Sequence, residues 1–184
     1  MKIIATVFSF FVLSIGGYGH KTDIKLNGVI HLSKLLDTSR YAILEFDKAN
    51  NYYFDKDAKP TTLSNEDIVK IEDLIEKRVS EYNRIEKDSA ISITKRLRKK
   101  KHDPNFTWKG DFIKTPSKYY KQLMPIINSK GEKEVWVNCF CNTGENSDWK
   151  KSIVLMEDGG SCYFKLKINL TKGIVYNFMV NGIA

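Results

Sequence analysis

Val135-Trp136-Val137-Asn138-Cys139-Phe140-Cys141, answered downstream by Asp158-Gly159-Gly160-Ser161-Cys162-Tyr163-Phe164, carries two kinds of side chain in alternation. Such period-two alternation of β-branched and aromatic residues reads as a strand with two unlike faces. Val135, Val137, Cys139 and Cys141 share one face; Trp136, Asn138 and Phe140 share the other. Working outward, Tyr119 to Asn128 and Lys133 to Phe140 flank Ser129-Lys130-Gly131 and form a hairpin with a glycine-containing turn. Pro125 inside the first arm points to an edge position or a bulge, because proline cannot donate to a ladder. Asn142 to Lys151 is a polar loop carrying Trp149, and Ser152 to Met156 a further strand. Asp158-Gly159-Gly160 turns the chain into Cys162 to Leu170, and Thr171-Lys172-Gly173 turns it again into Ile174 to Val180. On the last hairpin Cys162, Phe164, Leu166, Ile168 and Leu170 alternate with Tyr163, Lys165, Lys167 and Asn169. Its partner sets Ile174, Tyr176, Phe178 and Val180 against Val175, Asn177, Met179 and Asn181, and all three cysteines fall on the apolar side.

That apolar side needs a cover, and the chain offers one upstream. Ser64 with Asp67 three residues on is a capping-box-like helix start. Ile68, Ile71, Ile75, Val79 and Tyr82 then recur at helical spacing, which predicts a helix from Ser64 to about Ile85 with one apolar stripe. Tyr41 to Phe46 and Asn51 to Phe54 read as further strands, and Asp55 to Thr62 as a loop. The expected fold is α+β: one long helix packed on a mainly antiparallel sheet of about five or six strands. Ala90 to Thr94 suggests the start of a strand, after which Lys95-Arg96-Leu97-Arg98-Lys99-Lys100-Lys101-His102 forms a basic, exposed, mobile loop near 95–104 that Asp103-Pro104 ends.

The N-terminus reads as an export signal over residues 1–19. Lys2 precedes an apolar run from Ile3 to Ile15, and Gly17-Tyr18-Gly19 places small residues for cleavage before His20. The run is shorter than the roughly 20 apolar residues of a membrane span. Export to a periplasm or medium is therefore expected, with residues 20–184 as a single domain and no transmembrane span after cleavage. With 184 residues, 42% of them hydrophobic, the chain belongs to the folded class. Its net charge of +8 favours anionic partners.

An oxidising compartment permits disulfides, and three cysteines allow one bridge and leave one thiol over. Cys162 with Cys139 or Cys141 is the candidate bridge, since Cys139 and Cys141 are themselves near the limit of disulfide reach along one strand. A metal site built from the three lacks the usual spacing and a fourth ligand, so no metal or other cofactor is expected. On the opposite face Trp136, Phe140 and Tyr163 stand among Lys165 and Lys167. Left open, they would make a binding face. The other reading has Val29 to Leu36 folded over them. Lys95, Arg96, Arg98, Lys99, Lys100 and Lys101 form a candidate polyanion loop, for which simple solvation is the ordinary reading. No aromatic residue interleaves these charges, which disfavours nucleic acid and leaves a protein or an anionic surface as the expected partner.

Catalysis finds little support. His20, His31 and His102 are dispersed, no catalytic or phosphate-loop motif occurs, and Asp158-Gly159-Gly160 precedes a strand rather than a helix. The leading expectation is a non-catalytic binding or inhibitory module. The alternative is a small enzyme with its site between helix and sheet.

Glu132 to Cys141, Trp149-Lys150-Lys151, Asp158 to Phe164, Lys167-Ile168-Asn169-Leu170 and the ending Val180-Asn181-Gly182-Ile183-Ala184 together resemble a family of small exported bacterial proteins. An echo extends to Tyr41 to Phe46 and Ala58-Lys59-Pro60-Thr61-Thr62. The resemblance implies export and carries no catalytic residue with it. The order of helix then meander also looks like that of cystatin-like and NTF2-like folds, an analogy of architecture that does not fix function.

Overall fold

The computed structural model describes residues 38–47, 53–101, 104–144 and 148–183. The export signal, the Val29–Leu36 cover and all three histidines lie outside the described residues, as does the start of the 51–54 strand. The fold is α+β, one long helix against a mixed sheet of six strands. These are β1 (Tyr41–Ile43), β2 (Lys59–Pro60), β3 (Tyr120–Ile127), β4 (Lys133–Phe140), β5 (Tyr163–Asn169) and β6 (Ile174–Val180). The helix α1 runs Asn65–Lys101. Sheet order is β1-β3-β4-β5-β6, with β2 also pairing with β3. β1 runs parallel to β3, a pairing that needs a long crossover, and the chain through α1 supplies it.

The expected β3–β4 hairpin forms, with Tyr120 opposite Phe140 through to Ile127 opposite Lys133. Pro125 sits inside this register without a bulge. β1 pairs with β3 no further than Leu123, and β2 begins at Ile126, so Pro125 lies in the gap where no neighbour needs its missing amide. At the other edge the strict alternation fails. The register between β5 and β6 shifts between Lys165 and Lys167, and Asn177 takes a positive φ of 50° there. A bulge moves the residues beyond it to the other face. Phe178 and Val180 pack in the helix-side core as expected, but Val175 joins them and Tyr176 turns to the opposite face.

α1 begins with the expected cap: Ser64 Oγ accepts from Asp67 N at 3.1 Å, and Ser64 N donates to the Asp67 carboxylate at 2.9 Å. Ile71, Ile75 and Val79 then pack on Leu123, Val135, Val137, Leu166 and Ile168 in one core. The helix does not stop at Ile85. It has 37 residues, about 55 Å at 1.5 Å per residue, and the expected strand at Ala90–Thr94 and basic loop from Lys95 are both helical.

The second face of the sheet is a second core rather than an open patch. Trp136 is 3% exposed and Phe140 0%, so neither belongs to a binding surface. Ala42, Leu44 and Phe46 cover them, together with Ala58 and Trp149. Tyr53 stacks on Trp136 with ring centroids 4.3 Å apart. Tyr163 packs half-buried against this cluster, and Lys165 and Lys167 are half-buried too, the Lys167 ammonium lying 5.3 Å from the Phe54 ring centroid. Two amides fasten the cover. Gln122 Nε2 donates to the carbonyls of Trp149 and Ser152, while its Oε1 accepts from Asn138 Nδ2 and from Val154 N, both at 3.0 Å. Asn138 Nδ2 also donates to Val154 O at 2.8 Å. Residues 152–156 are therefore held by side chains from below, and the strand expected at Ser152–Met156 does not form.

Of the cysteines only Cys139 lies in the helix-side core, buried and free. Cys141 has left the strand, so alternation no longer governs it. Its amide donates to Cys162 O at 3.0 Å, and the two residues stand at disulfide distance with Cα atoms 5.0 Å apart. Burial pushes the Cys139 thiol up, with Lys121 opposing only in part, which makes it a poor nucleophile. In protein recovered from an oxidising compartment, mass spectrometry should find Cys141 linked to Cys162. A thiol reagent should modify Cys139 only after unfolding; rapid labelling of Cys139 in the native protein would contradict the packing.

Candidate functional site

Three places in the fold gather polar or charged chemistry. The first is a cleft of about 490 Å³ where the two hairpins end. Asn128 opens the β3–β4 turn, its Oδ1 accepting from Lys130 N and Glu132 N; Asn169 opens the β5–β6 turn in the same way, accepting from Lys172 N. Both then spend their amino groups on the same two carboxylates. Asn128 Nδ2 reaches Glu132 Oε2 at 3.2 Å and Glu134 Oε1 at 2.9 Å; Asn169 Nδ2 reaches them at 2.8 and 3.0 Å. Lys172 Nζ closes on Glu132 Oε1 at 2.6 Å, and Tyr176 donates its hydroxyl to Glu134 Oε2 at 2.7 Å. Hydrogen bonds from Lys172, Asn169 and Asn128 hold the Glu132 carboxyl down at about 2. Burial, followed by the Glu134 contact, raises the Tyr176 phenol. Every carboxylate oxygen already has a donor. With its oxygens so occupied, the pair acts as a clasp between two turns rather than as a proton donor.

The second place is between helix and sheet, where an enzymatic site would lie. Lys121 is fully buried there beside Cys139, its partner in the β3–β4 register. Its Nζ donates to the carbonyls of Pro116 and Tyr119 at 3.0 and 3.2 Å and faces Glu72 Oε1 at 3.4 Å. That last contact is a charge pair without hydrogen-bond alignment, and the Glu72 oxygen receives no hydrogen bond. Leu123, Val137 and Phe164 pack in the same core, and the lysine's charge is used internally. The arrangement is closed to a substrate.

The third place is open. Beyond Val79 the helix stripe keeps its spacing but changes character, and it meets a strap formed by residues 104–113. Asn83 pairs with both the N–H and the C=O of Ile113, at 3.0 and 2.8 Å, as a neighbouring strand would. Tyr82 donates to Asp111 O at 3.0 Å and Glu86 accepts from Asp111 N at 3.0 Å. Thr94 Oγ1 accepts from Trp108 N at 2.9 Å, and Arg98 Nε donates to Phe106 O at 2.6 Å. Gly110, at φ 76°, bends the strap so tightly that a Cβ there would stand 2.8 Å from the Phe112 ring. Helix and strap together form a groove of about 650 Å³. Ile91, Trp108 and Phe112 give it apolar walls; Lys87, Lys95, Arg98, Lys99 and Lys109 surround them, with no acidic residue in the lining.

This rearranges the sequence-predicted residues. Lys95, Arg98 and Lys99 come together in the groove, while Arg96 and Lys100 are exposed outside its lining and Lys101 ends the helix. Trp136 and Phe140 are withdrawn to the core. Trp108 and Phe112, which sequence reasoning passed over, come alongside the charges because the strap folds back. The signal available was the pair of aromatics in Trp108-Lys109-Gly110-Asp111-Phe112, just after Pro104. Among the described residues no helix is long and apolar enough to cross a membrane, and no His/Cys/Asp/Glu group has metal-binding geometry. No family model, curated protein or solved structure matches the chain.

Two outcomes follow from these contacts. Glu132 has its folded-state value lowered from 4.5 to about 2, so its clasp contributes full stability above about pH 4.5 and loses it as pH falls toward 2. Denaturation midpoints of the wild type should therefore drop more steeply with acid over that window than those of Glu132→Gln. For the strap, Thr94→Val removes the oxygen that accepts from the Trp108 amide, a bond worth about 1 kcal/mol, and amide exchange at Trp108 should rise about five-fold. Exchange at Leu166 in the sheet should be unchanged.

Proposed function

We propose that this chain is an exported, non-catalytic binding module that attaches to an anionic surface through the basic end of α1. The observation that carries this reading is the lining of the helix–strap groove, five cationic side chains and no acidic one around an open apolar floor. Several fixed positive charges on one rigid element concentrate anions, and each is worth about 1 kcal/mol close to an anionic surface. Rigidity matters here. The helix and the strap's hydrogen bonds hold the charges in place before any partner arrives, so little ordering cost falls on binding.

The non-catalytic part of the reading is supported by what the other polar clusters are doing. The Glu132–Glu134 pair is saturated by amide, ammonium and phenol donors, and the Lys121–Glu72 pair is sealed in the core. Export to a periplasm or medium is supported by the N-terminal pattern and by a cysteine pair at disulfide distance. Membership in the family of small exported bacterial proteins, which the C-terminal stretch resembles, belongs to the same reading.

Retention on a heparin matrix tests the charge requirement with a simple polyanion. Wild-type protein should be retained at physiological salt. A Lys95→Gln, Arg96→Gln, Lys99→Gln, Lys100→Gln variant should bind on the order of 100-fold more weakly, from the sum of several such charges. Equal retention of the two proteins would sink the reading.

A further inference from the structure

We infer that the anionic surface is a lipid bilayer, and that Ile91, Trp108 and Phe112 are the side chains that enter it. This rests on the attachment reading above and adds the class of partner. A soluble polyanion recognises charge alone, and nothing in it rewards exposed apolar side chains. Yet the groove keeps Ile91 62%, Trp108 38% and Phe112 37% exposed in the middle of its cations. Burying them against lipid returns the apolar free energy that water withholds. A bilayer interface offers both kinds of contact at once: headgroup phosphates for Lys and Arg, and the acyl boundary a few ångströms deeper for the apolar residues. Tryptophan suits that boundary, with an apolar body and a polar N–H.

The arrangement along α1 fits a flat partner. Lys87, Ile91 and Lys95 are spaced four apart, so an apolar residue lies between two cations on one helix face. Lys99 continues the row. The described strands have at most eight residues, about 26 Å, whereas α1 extends about 55 Å. Among the described residues its basic end is hydrogen-bonded to the strap, and its exposed cations are presented along that end. The strap is fixed by Thr94 and Arg98 beneath it, so Trp108 is presented without a search. A second copy of the chain is a poor occupant, because it would bring the same cationic rim against this one. Lys and Arg stems can lie along the apolar floor while their heads stay in the headgroup layer.

The experiment uses the chain as recovered from an exporting host, folded by circular dichroism, with two probes. Co-sedimentation is measured with vesicles of phosphatidylglycerol and phosphatidylcholine in equal parts, and with phosphatidylcholine alone; heparin retention is measured in parallel. The wild type should sediment with the anionic vesicles only. An Ile91→Ser, Trp108→Ser variant should lose about ten-fold or more in vesicle affinity while keeping its heparin retention. In the unaltered protein, lipids brominated near the headgroup should quench the tryptophan emission that Trp108→Phe lacks, which frees the test from any folding defect of the double variant. Heparin retention without vesicle binding would overturn the lipid inference and leave the attachment reading standing. Loss of both would overturn both. Vesicle binding unchanged in the double variant, or a stable dimer in solution that hides Trp108, would overturn the entry of these side chains.

Discussion

A segment that crosses the surface alone still has to satisfy its amides, and, among the described residues, 106–113 have no strand beside them. α1 supplies the partners. Asn83, Glu86, Thr94 and Arg98 lie along one face of the helix, each meeting a backbone or hydroxyl group of the strap. The strap thus holds the helix past the sheet as much as the helix holds the strap. A free helix ending in adjacent lysines and arginines suffers like-charge repulsion along its face. Two things offset it: cations near the C-terminus are favoured by the helix dipole, and the strap docks the last turns in place. The groove exists because these terms win.

The sheet shows what it takes to bury both faces of one layer. β3 and β4 are almost wholly buried, which leaves polar residues in their interiors with no water. Gln122 and Asn138 are placed where the cover's backbone needs partners, and Gln122 uses both of its donors and both of its acceptor positions. Removing either amide would orphan carbonyls of the cover as well as the amide's own neighbour. The same economy rules at the hairpin ends, where Asn128 and Asn169 shape a turn with the carbonyl oxygen and bind carboxylates with the nitrogen. These are asparagines and a glutamine that period-two reading treats as surface. Here they fasten one layer to the next.

That is also the limit of what was legible in the sequence. Strand alternation and helix capping are local, so the β3–β4 hairpin, the Ser64 cap, the helix-side core and the reach of Cys162 to a neighbouring cysteine could be read directly. What failed depended on partners distant in sequence. The helix was expected to end near Ile85 because apolar periodicity stops there, yet the stripe continues with hydrogen-bonding residues whose partners lie 8 to 30 positions away. Trp136 and Phe140 looked available because nothing in their own strand shows what covers them; the cover comes from β1, from the turn around Ala58 and from Trp149. Tyr176 was assigned to the wrong face because a single bulge at Asn177 carries no composition signal of its own. The candidate site suffered in the same way. Charge was visible as a run, while the aromatic residues that change its meaning follow a proline and return only in space.

Bringing Trp108 and Phe112 to the lysines alters the physics of the basic end. Charges on a mobile loop attract any anion weakly and lose to salt within a Debye length of about 8 Å. Charges fixed around apolar side chains discriminate between anions, because only a partner with an apolar layer behind its charge gains from both. The exposure of Ile91, Trp108 and Phe112 costs solubility when the site is empty, and the surrounding cations offset that cost by keeping copies of the protein apart. On the attachment proposed above, the same cations would serve both the free state and the attached one. An aromatic placed among acidic residues would have the first benefit without the second, and one placed without charge would have neither.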